Sequence, residues 1–378
     1  MTSPGLFPGG VVIIGAGLIG TSVGLVLRGA GIRVQIADSD PATARMAAGL
    51  GAGDLLGTGS SAELAPPATP ADLAVLAVPP DAVAATLAAA QKAGLARWYT
   101  DVASVKSRPL AQAGALGCDL ASYVPGHPLA GRERSGPAAA RADLFLGRPW
   151  ALCPVPETSG GAVDAVTALV RACGARPVTA GAAEHDRWVA LVSHAPHVVA
   201  SAMAARLAAA PGGALALAGQ GLRDVTRVAA GDPALWTQIL TSNAAGVSEV
   251  LAQVAADLRA AAEALAGCDQ PPGASADARL GRLLADGRAG VAAIPGKHNG
   301  PPVPYAIVQV VIPDQPGELA RLFQAAGQAG INIEDIDIEH SPGLPAGVAE
   351  LAVKPAAAEP LAAALAASGW PAMIAKTP

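Results

Sequence analysis

Residues 11–15, Val-Val-Ile-Ile-Gly, form a continuous apolar run. That is the pattern of a parallel strand buried on both faces. Gly15-Ala16-Gly17-Leu18-Ile19-Gly20 follows and opens a helical pattern lasting to about Gly29. Ile32 to Ala37 reads as a second strand closed by Asp38. Leu73 to Val78 is another, stopped by Pro79-Pro80, and Trp98 to Val102 a further one. A weak candidate lies near Asp54. Such strand–helix alternation predicts an α/β, Rossmann-like doubly wound sheet over residues 1–181, continuing through Pro149 to Cys153 and Arg176 to Thr179.

From Ala182 to about Gly290 the strand signals disappear. Long Ala/Leu/Val-rich helical stretches are broken by Pro211-Gly212-Gly213, Asp232-Pro233 and Pro271-Pro272-Gly273. An all-α domain over 182–294 is expected, and apolar helices of that length suit the core of a homodimer. Pro295 to Pro304 is Gly/Pro-rich and reads as a linker. The remainder, 305–378, patterns as βαββαβ. Its strands are Tyr305 to Ile312, Ile331 to His340, Gly347 to Val353 and Pro371 to Ala375; its helices are Pro316 to Ala329 and Ala356 to Ala367. This is a ferredoxin-like small domain.

Composition narrows the class. The 378 residues suffice for two or three domains, and a chain that is 52% apolar and 15% charged is not a disordered one. A net charge of -5 gives no reason to expect nucleic acid or an anionic membrane as partner. Cys118, Cys153, Cys173 and Cys268 are scattered with no CxxC pair, so neither a zinc site nor a disulfide framework is expected. No basic segment with an apolar core opens the chain, and no charge-free apolar run reaches the roughly 18 residues of a membrane helix. A soluble, cytoplasmic protein is expected.

In Gly15-x-Gly17-x-x-Gly20, Gly15 permits the tight turn, Gly17 lets a pyrophosphate approach the backbone, and Gly20 lets helix pack on strand. Leu18 and Ile19 open the helix whose free N–H groups favour anions. Asp38, 23 residues after Gly15, ends the second strand, where a carboxylate accepts from ribose hydroxyls and repels a 2′-phosphate. NAD is therefore expected over NADP, with Arg33 and Arg45 the only nearby bases that favour the latter.

Further segments are too polar for their apolar surroundings. His127, between Gly126 and Pro128 and followed by small residues and charges, is poor core material and suits a cavity mouth. Asp101-Val102-Ala103-Ser104-Val105-Lys106 ends a strand with a serine and a lysine. Ser193-His194-Ala195-Pro196-His197 sets two histidines in an apolar helix. Gly221-Leu222-Arg223-Asp224-Val225-Thr226-Arg227 leads to Asp232-Pro233-Ala234-Leu235-Trp236.

These segments, DxxSVK, HPLAGxExSG, SHxPH and GxRDxTRxAxxDPxxW, resemble the prephenate dehydrogenases of tyrosine biosynthesis. Asp314-Gln315-Pro316-Gly317 and Gly330-Ile331-Asn332-Ile333 resemble an ACT domain, a small ligand-sensing module. The resemblance spans nearly the whole chain. It implies oxidative decarboxylation of prephenate to 4-hydroxyphenylpyruvate with reduction of NAD, and no metal. It makes His127 the catalytic histidine and Ser104 the serine that orients it. Arg227, His197, Trp236 and Glu133 become substrate-binding or gating residues. Arg132 stands where a small polar residue is expected; it fits a substrate carboxylate, a pair with Glu133, or solvent. Asp314, Gly317 and Asn332 would hold an effector, tyrosine being the logical one.

Bland roles stand beside these. His194 suits helix packing more than substrate binding. His185 and His340 read as ordinary surface residues, and His298 as a solvated linker residue. Lys106 fits a ligand contact or a surface pair, and Trp236 substrate contact or interface packing. An arogenate dehydrogenase, with Glu133 facing the substrate ammonium, is the rival within the class. A non-catalytic sensor of dinucleotide and amino acid is the rival outside it, and intact Ser104, His127 and Arg227 argue against that.

Overall fold

The computed structural model describes residues 5–60, 64, 68–131, 135–266, 274–294, 305–340 and 345–375. The chain forms two compact units, Met1–Ala255 and Ala256–Pro378.

The first unit opens with β1 (Val11–Ile14), α1 (Leu18–Gly29), β2 (Val34–Asp38), α2 (Pro41–Gly49) and β3 (Asp54–Ser60). A second half follows: β4 (Ala71–Leu76), α3 (Pro80–Lys92), β5 (Ala96–Asp101), α4 (Ser107–Ala115) and β6 (Tyr123–Val124). The strands form one parallel sheet in the order β3-β2-β1-β4-β5-β6. Its order reverses between β1 and β4, where doubly wound sheets open a ligand crevice. The unbroken apolar run of β1 has a direct cause. Val11 and Ile13 enter a core with Val34, Ile36 and Val75, while Val12 and Ile14 enter another with Leu76, Val83 and Leu87.

The expectation that this sheet continues to about residue 180 is corrected. β7 (Gly126–Pro128), β8 (Pro149–Leu152) and β9 (Arg176–Thr179), with α5 (Gly160–Ala172) between the last two, form a separate three-stranded sheet. β7 runs antiparallel to β8, and β8 parallel to β9. Pro125 marks the exchange. It has no N–H to extend β6, and its carbonyl accepts from Cys153 N–H (2.8 Å), which starts the second sheet.

Beyond β9 the unit is helical: α6 (Ala182–Val189), a π turn (Ala190–His194), α7 (Ala195–Leu207), α8 (Gly212–Leu215), α9 (Gln220–Thr226), a 3-10 turn (Arg227–Ala230) and α10 (Pro233–Ser242). α11 (Ala244–Ala266) follows and continues past Ala255, where the first unit ends, and α12 (Ala274–Ala293) belongs to the second. Ala182–Leu207 is one 26-residue run with the length and apolarity of a membrane span. It nonetheless carries His185, Asp186, His194 and His197, all buried.

The second unit contains β10 (Ala306–Pro313), α13 (Glu318–Gln328), β11 (Asp335–His340), β12 (Ala346–Val353), α14 (Ala358–Ala367) and β13 (Ala372–Ile374). Its sheet, β11-β12-β10-β13, is antiparallel throughout and realises the expected βαββαβ order. Val308, Val310, Leu322, Leu351 and Leu361 build its core. β11 starts four residues later than the apolar pattern suggests. Gly330 (φ 69) follows the helix, Ile331 N–H bonds back to Ala326 O (3.0 Å), and bonding to β12 begins only at Glu334, whose N–H donates to Ala352 O (2.8 Å). The expected linker, 295–304, and Pro271-Pro272-Gly273 lie outside the described residues, as do Cys268, His298 and the His340 side chain.

Candidate active site

The glycine loop is shaped for a dinucleotide. Gly15 has φ +105, and a Cβ there would lie 2.1 Å from Ala77 O. One on Gly20 would lie 1.9 Å from Gly15 O. Both glycines are thus demanded by the turn itself. Gly17 differs, since a Cβ there would meet nothing within 4 Å. No neighbour in the chain demands a glycine there, and its backbone is left open to the approach of a pyrophosphate. Gly17 caps α1 with no side-chain bond, and Leu18 and Ile19 are only partly buried, which leaves first-turn N–H groups for an anion. Asp38 stands at the end of β2, where its carboxylate accepts from Ala16 N–H (2.6 Å) and Asp40 N–H (2.9 Å). Arg33 is engaged with Gly9 O (2.7 Å). The residues fit NAD.

A cavity of about 450 Å³ lies within the same unit. It gathers Ser104, His127, His194, His197, Arg227 and Trp236, from segments far apart in sequence. His127 is carried on β7 opposite Ala151. Its strand is clamped from behind. Lys106 Nζ donates to Gly126 O (2.6 Å) and pairs with Asp101, both side chains being fully buried. Tyr123 OH donates to Asp101 Oδ2, and Ala103 N–H to Asp101 Oδ1 (2.8 Å). Gly126 must be glycine here, because a Cβ would lie 2.8 Å from Asp101 O. Lys106 is therefore neither a ligand contact nor a surface pair, and that expectation is corrected.

His194, at the end of the π turn, and His197, in α7, are set by a local defect. Pro196 has no N–H for an i→i−4 bond, and the helix widens into the π turn just before it. Trp236 comes from α10, whose start is fixed by Asp232 accepting from Ala234 N–H (2.7 Å) and Leu235 N–H (3.2 Å). It stacks on His197, with ring centres 3.5 Å apart and planes at 13°. His194 meets its edge at 6.3 Å. Gly231 makes room for the stack, since a Cβ there would lie 2.5 Å from Trp236 Nε1.

The His127 ring is held by another histidine. His127 Nδ1 lies 2.9 Å from His185 Nε2, and His185 Nδ1 lies 2.9 Å from Asp186 Oδ1. Asp186 also accepts from Lys106 N–H and Ser107 N–H, both at 2.8 Å. Burial pushes the Asp186 carboxyl up, but the bonds from His185 and these backbone donors outweigh it and hold it below the usual range. An ionised Asp186 accepts a hydrogen bond from His185 Nδ1–H, which keeps the proton of that neutral ring on Nδ1. His185 Nε2 then accepts, His127 Nδ1 donates, and His127 Nε2 is left as a lone-pair acceptor. Burial, then the neighbouring His185, Lys106 and His194, keep His127 well below the ordinary histidine pKa and hence neutral. Burial likewise lowers His194 to about 4 and lowers His197.

Two readings of the sequence change. His185 is not a surface residue; it is 2% exposed and bonded to the key imidazole. The bond that orients His127 comes from His185, whereas Ser104 lines the cavity without bonding that ring. His194 packs in the helix as expected, yet also lines the cavity. Nothing singled out His185 and Asp186 in the sequence, because Glu184 and Arg187 around them make an ordinary polar first turn. Arg132 and Glu133 lie outside the described residues. In the second unit Asn332 lines a concavity of about 490 Å³ with Phe323 and Glu334, and donates to Glu334 (2.9 Å). Asp314 and Gly317 do not line it. Asp314 N–H bonds Pro345 O (2.9 Å), and Gly317 (φ 91) starts α13.

Residues 23–179 match the family model of the prephenate dehydrogenase nucleotide-binding domain, and 181–275 that of the prephenate dehydrogenase dimerization domain. “Probable prephenate dehydrogenase NovF” of Streptomyces niveus is 43% identical over 365 residues, covering 96% of this chain and 98% of its own. Cyclohexadienyl dehydrogenase of Zymomonas mobilis is 32% identical over 270 residues, 68% of this chain and 89% of its own. Among solved structures, Synechocystis arogenate dehydrogenase superposes with a TM-score of 0.59 at 26% identity, over 74% of this chain and 98% of that one. Prephenate dehydrogenase from Aquifex aeolicus, solved with hydroxyphenyl propionate and NAD+, gives 0.64 at 23% identity, over 75% and 98%. That last likeness is one of fold.

Proposed function

The chain belongs to the prephenate dehydrogenase family, and from that premise we propose that it oxidises and decarboxylates prephenate to 4-hydroxyphenylpyruvate with NAD as the electron acceptor. The observation that carries this reading is the bond chain from Asp186 through His185 to His127, ending on an acceptor Nε2 in the cavity that also holds Arg227.

Bound at Gly15, Gly17 and Gly20, NAD supplies the acceptor for the hydride that leaves C4 of the substrate ring. His127 Nε2 takes the proton of the C4 hydroxyl as that carbon becomes carbonyl-like. Loss of CO2 makes the ring aromatic, and the same imidazole returns the proton to the oxygen. His127 thus ends neutral, and no net proton is released. The Arg227 guanidinium offers a planar fork for one of the two carboxylates. The His197–Trp236 stack forms a flat wall against the ring, and Ser104 a hydroxyl beside His127. Arg132 and Glu133, next in sequence after Gly131, we assign to the substrate side chain and its entry.

We divide the chain into a cofactor domain (1–181), a helical substrate and dimerisation domain (182–294) and an ACT regulatory domain (305–378). Exposed Leu191, Val192, Met203, Leu217 and Val225 support a homodimer formed through the helices. The βαββαβ order and the turn Asp314-Gln315-Pro316-Gly317 support the ACT reading, with tyrosine as effector. We take the enzyme to be soluble and cytoplasmic.

Formation of NADH or NADPH from prephenate and from arogenate, each with NAD and with NADP, tests the proposal. Prephenate with NAD should give the highest kcat/KM. A preference for arogenate would reassign the substrate, and turnover of neither would leave a sensor that only binds.

A further inference from the structure

Asp186 reaches the cavity by two routes. Its carboxylate accepts from His185, which in turn accepts from His127. Its backbone carbonyl accepts from Asn243 Nδ2 (2.7 Å), and that same amide nitrogen lies 3.1 Å from His194 Nδ1. The carbonyl fixes which end of the Asn243 amide is the NH2 group, since an oxygen there would face another oxygen. The amide then donates to His194 Nδ1, so the proton of that neutral ring sits on Nε2. All five residues are buried or line the cavity wall.

We propose that Asp186 is the positioning residue of this site, holding His127 and His194 in opposite tautomers so that the cavity presents one imidazole acceptor and one imidazole donor. The idea rests on the reading of His127 as proton acceptor and adds a role for His194, Asn243 and Asp186. A substrate with one reacting hydroxyl and several carboxylate oxygens needs one partner of each kind. Two imidazoles in the same tautomer would offer two acceptors or two donors and leave one substrate group unmatched. Asp186 does this while both rings stay uncharged, so Arg227 keeps the role of cation. His127 is the catalytic residue here; Asp186, His185 and Asn243 act through the rings they hold.

The chain has six histidines, so ring 15N spectra of histidine-labelled protein are simple enough to assign by single substitutions. In the wild type, His127 should be protonated at Nδ1 and His194 at Nε2. His185→Leu should release the His127 tautomer and leave that of His194; Asn243→Leu should do the reverse. His185→Gln can donate to Asp186 and accept from His127, so it should restore both the His127 tautomer and most of kcat. His185→Leu should lose at least about tenfold in kcat, since a misplaced tautomer beside a catalytic base can cost up to about 10⁴-fold. NAD affinity should stay unchanged in all three. The same tautomer on both rings in the wild type, or variants that leave both as they were, would overturn the proposal. If a variant does not fold, the wild-type spectrum alone decides. An enzyme that ignores prephenate but shows opposite tautomers would sink the substrate reading and keep this one.

Discussion

His127 works at the end of a line of bonds, and its neighbours decide what it can do. The motif around it was legible because a histidine between Gly126 and Pro128 has no place in a core. The partner that sets its tautomer was not legible, since His185 is 58 residues away and hidden in a polar helical turn. The stack of Trp236 on His197 gives a sharp residue-scale test. Gly231 has φ −64, which any residue adopts, so Gly231→Ala adds only the clash of its Cβ with Trp236 and His197. Overpacking of this kind costs about 1–3 kcal/mol. The KM for prephenate should rise several-fold with NAD affinity unchanged, read from initial rates. An unaltered KM would mean that the stack serves packing alone.

At the scale of elements, the end of β5, the start of α4 and strand β7 are tied together by the buried pair of Lys106 and Asp101. Breaking one side of such a pair costs about 3–5 kcal/mol, because the other charge is stranded without water. Lys106→Met should lower the urea midpoint accordingly, and adding Asp101→Asn should recover part of the loss. If Lys106→Met melts like the wild type, the pair does not hold this junction. The alternation of strands and helices in 1–124 was plain in the sequence, because β1, β2 and β4 are buried on both faces and so appear as apolar runs. The membership of β8 and β9 was not. Apolar runs report burial, not partners, and the switch of sheets depends on Pro125, one residue with no N–H and a well-placed carbonyl. The π turn before Pro196 is likewise a consequence of a missing donor that a helical pattern does not display.

At the scale of the whole molecule, the chain joins a catalytic unit to a small antiparallel one. The βαββαβ order of the latter was legible from its period. The residues expected to hold an effector do not gather, since Asn332 lines a concavity that Asp314 and Gly317 do not share. Deleting residues 301–378 should leave an active enzyme with weakened inhibition by tyrosine. Equal inhibition of both forms would place tyrosine at the active site instead. The central claim is that a neutral His127 accepts the substrate proton during NAD-dependent oxidation of prephenate. It is tested most directly by kcat/KM for NADH formation across pH, in the wild type and in His127→Asn. Burial lowers the His127 pKa below its ordinary value near 6.5, so the base stays unprotonated through neutrality. Wild-type kcat/KM should hold level as pH falls to about 6.5 and decline only below it. His127→Asn should be about 10²–10⁴-fold slower and lack that acid limb. A variant within threefold of the wild type, with the limb intact, would contradict the account.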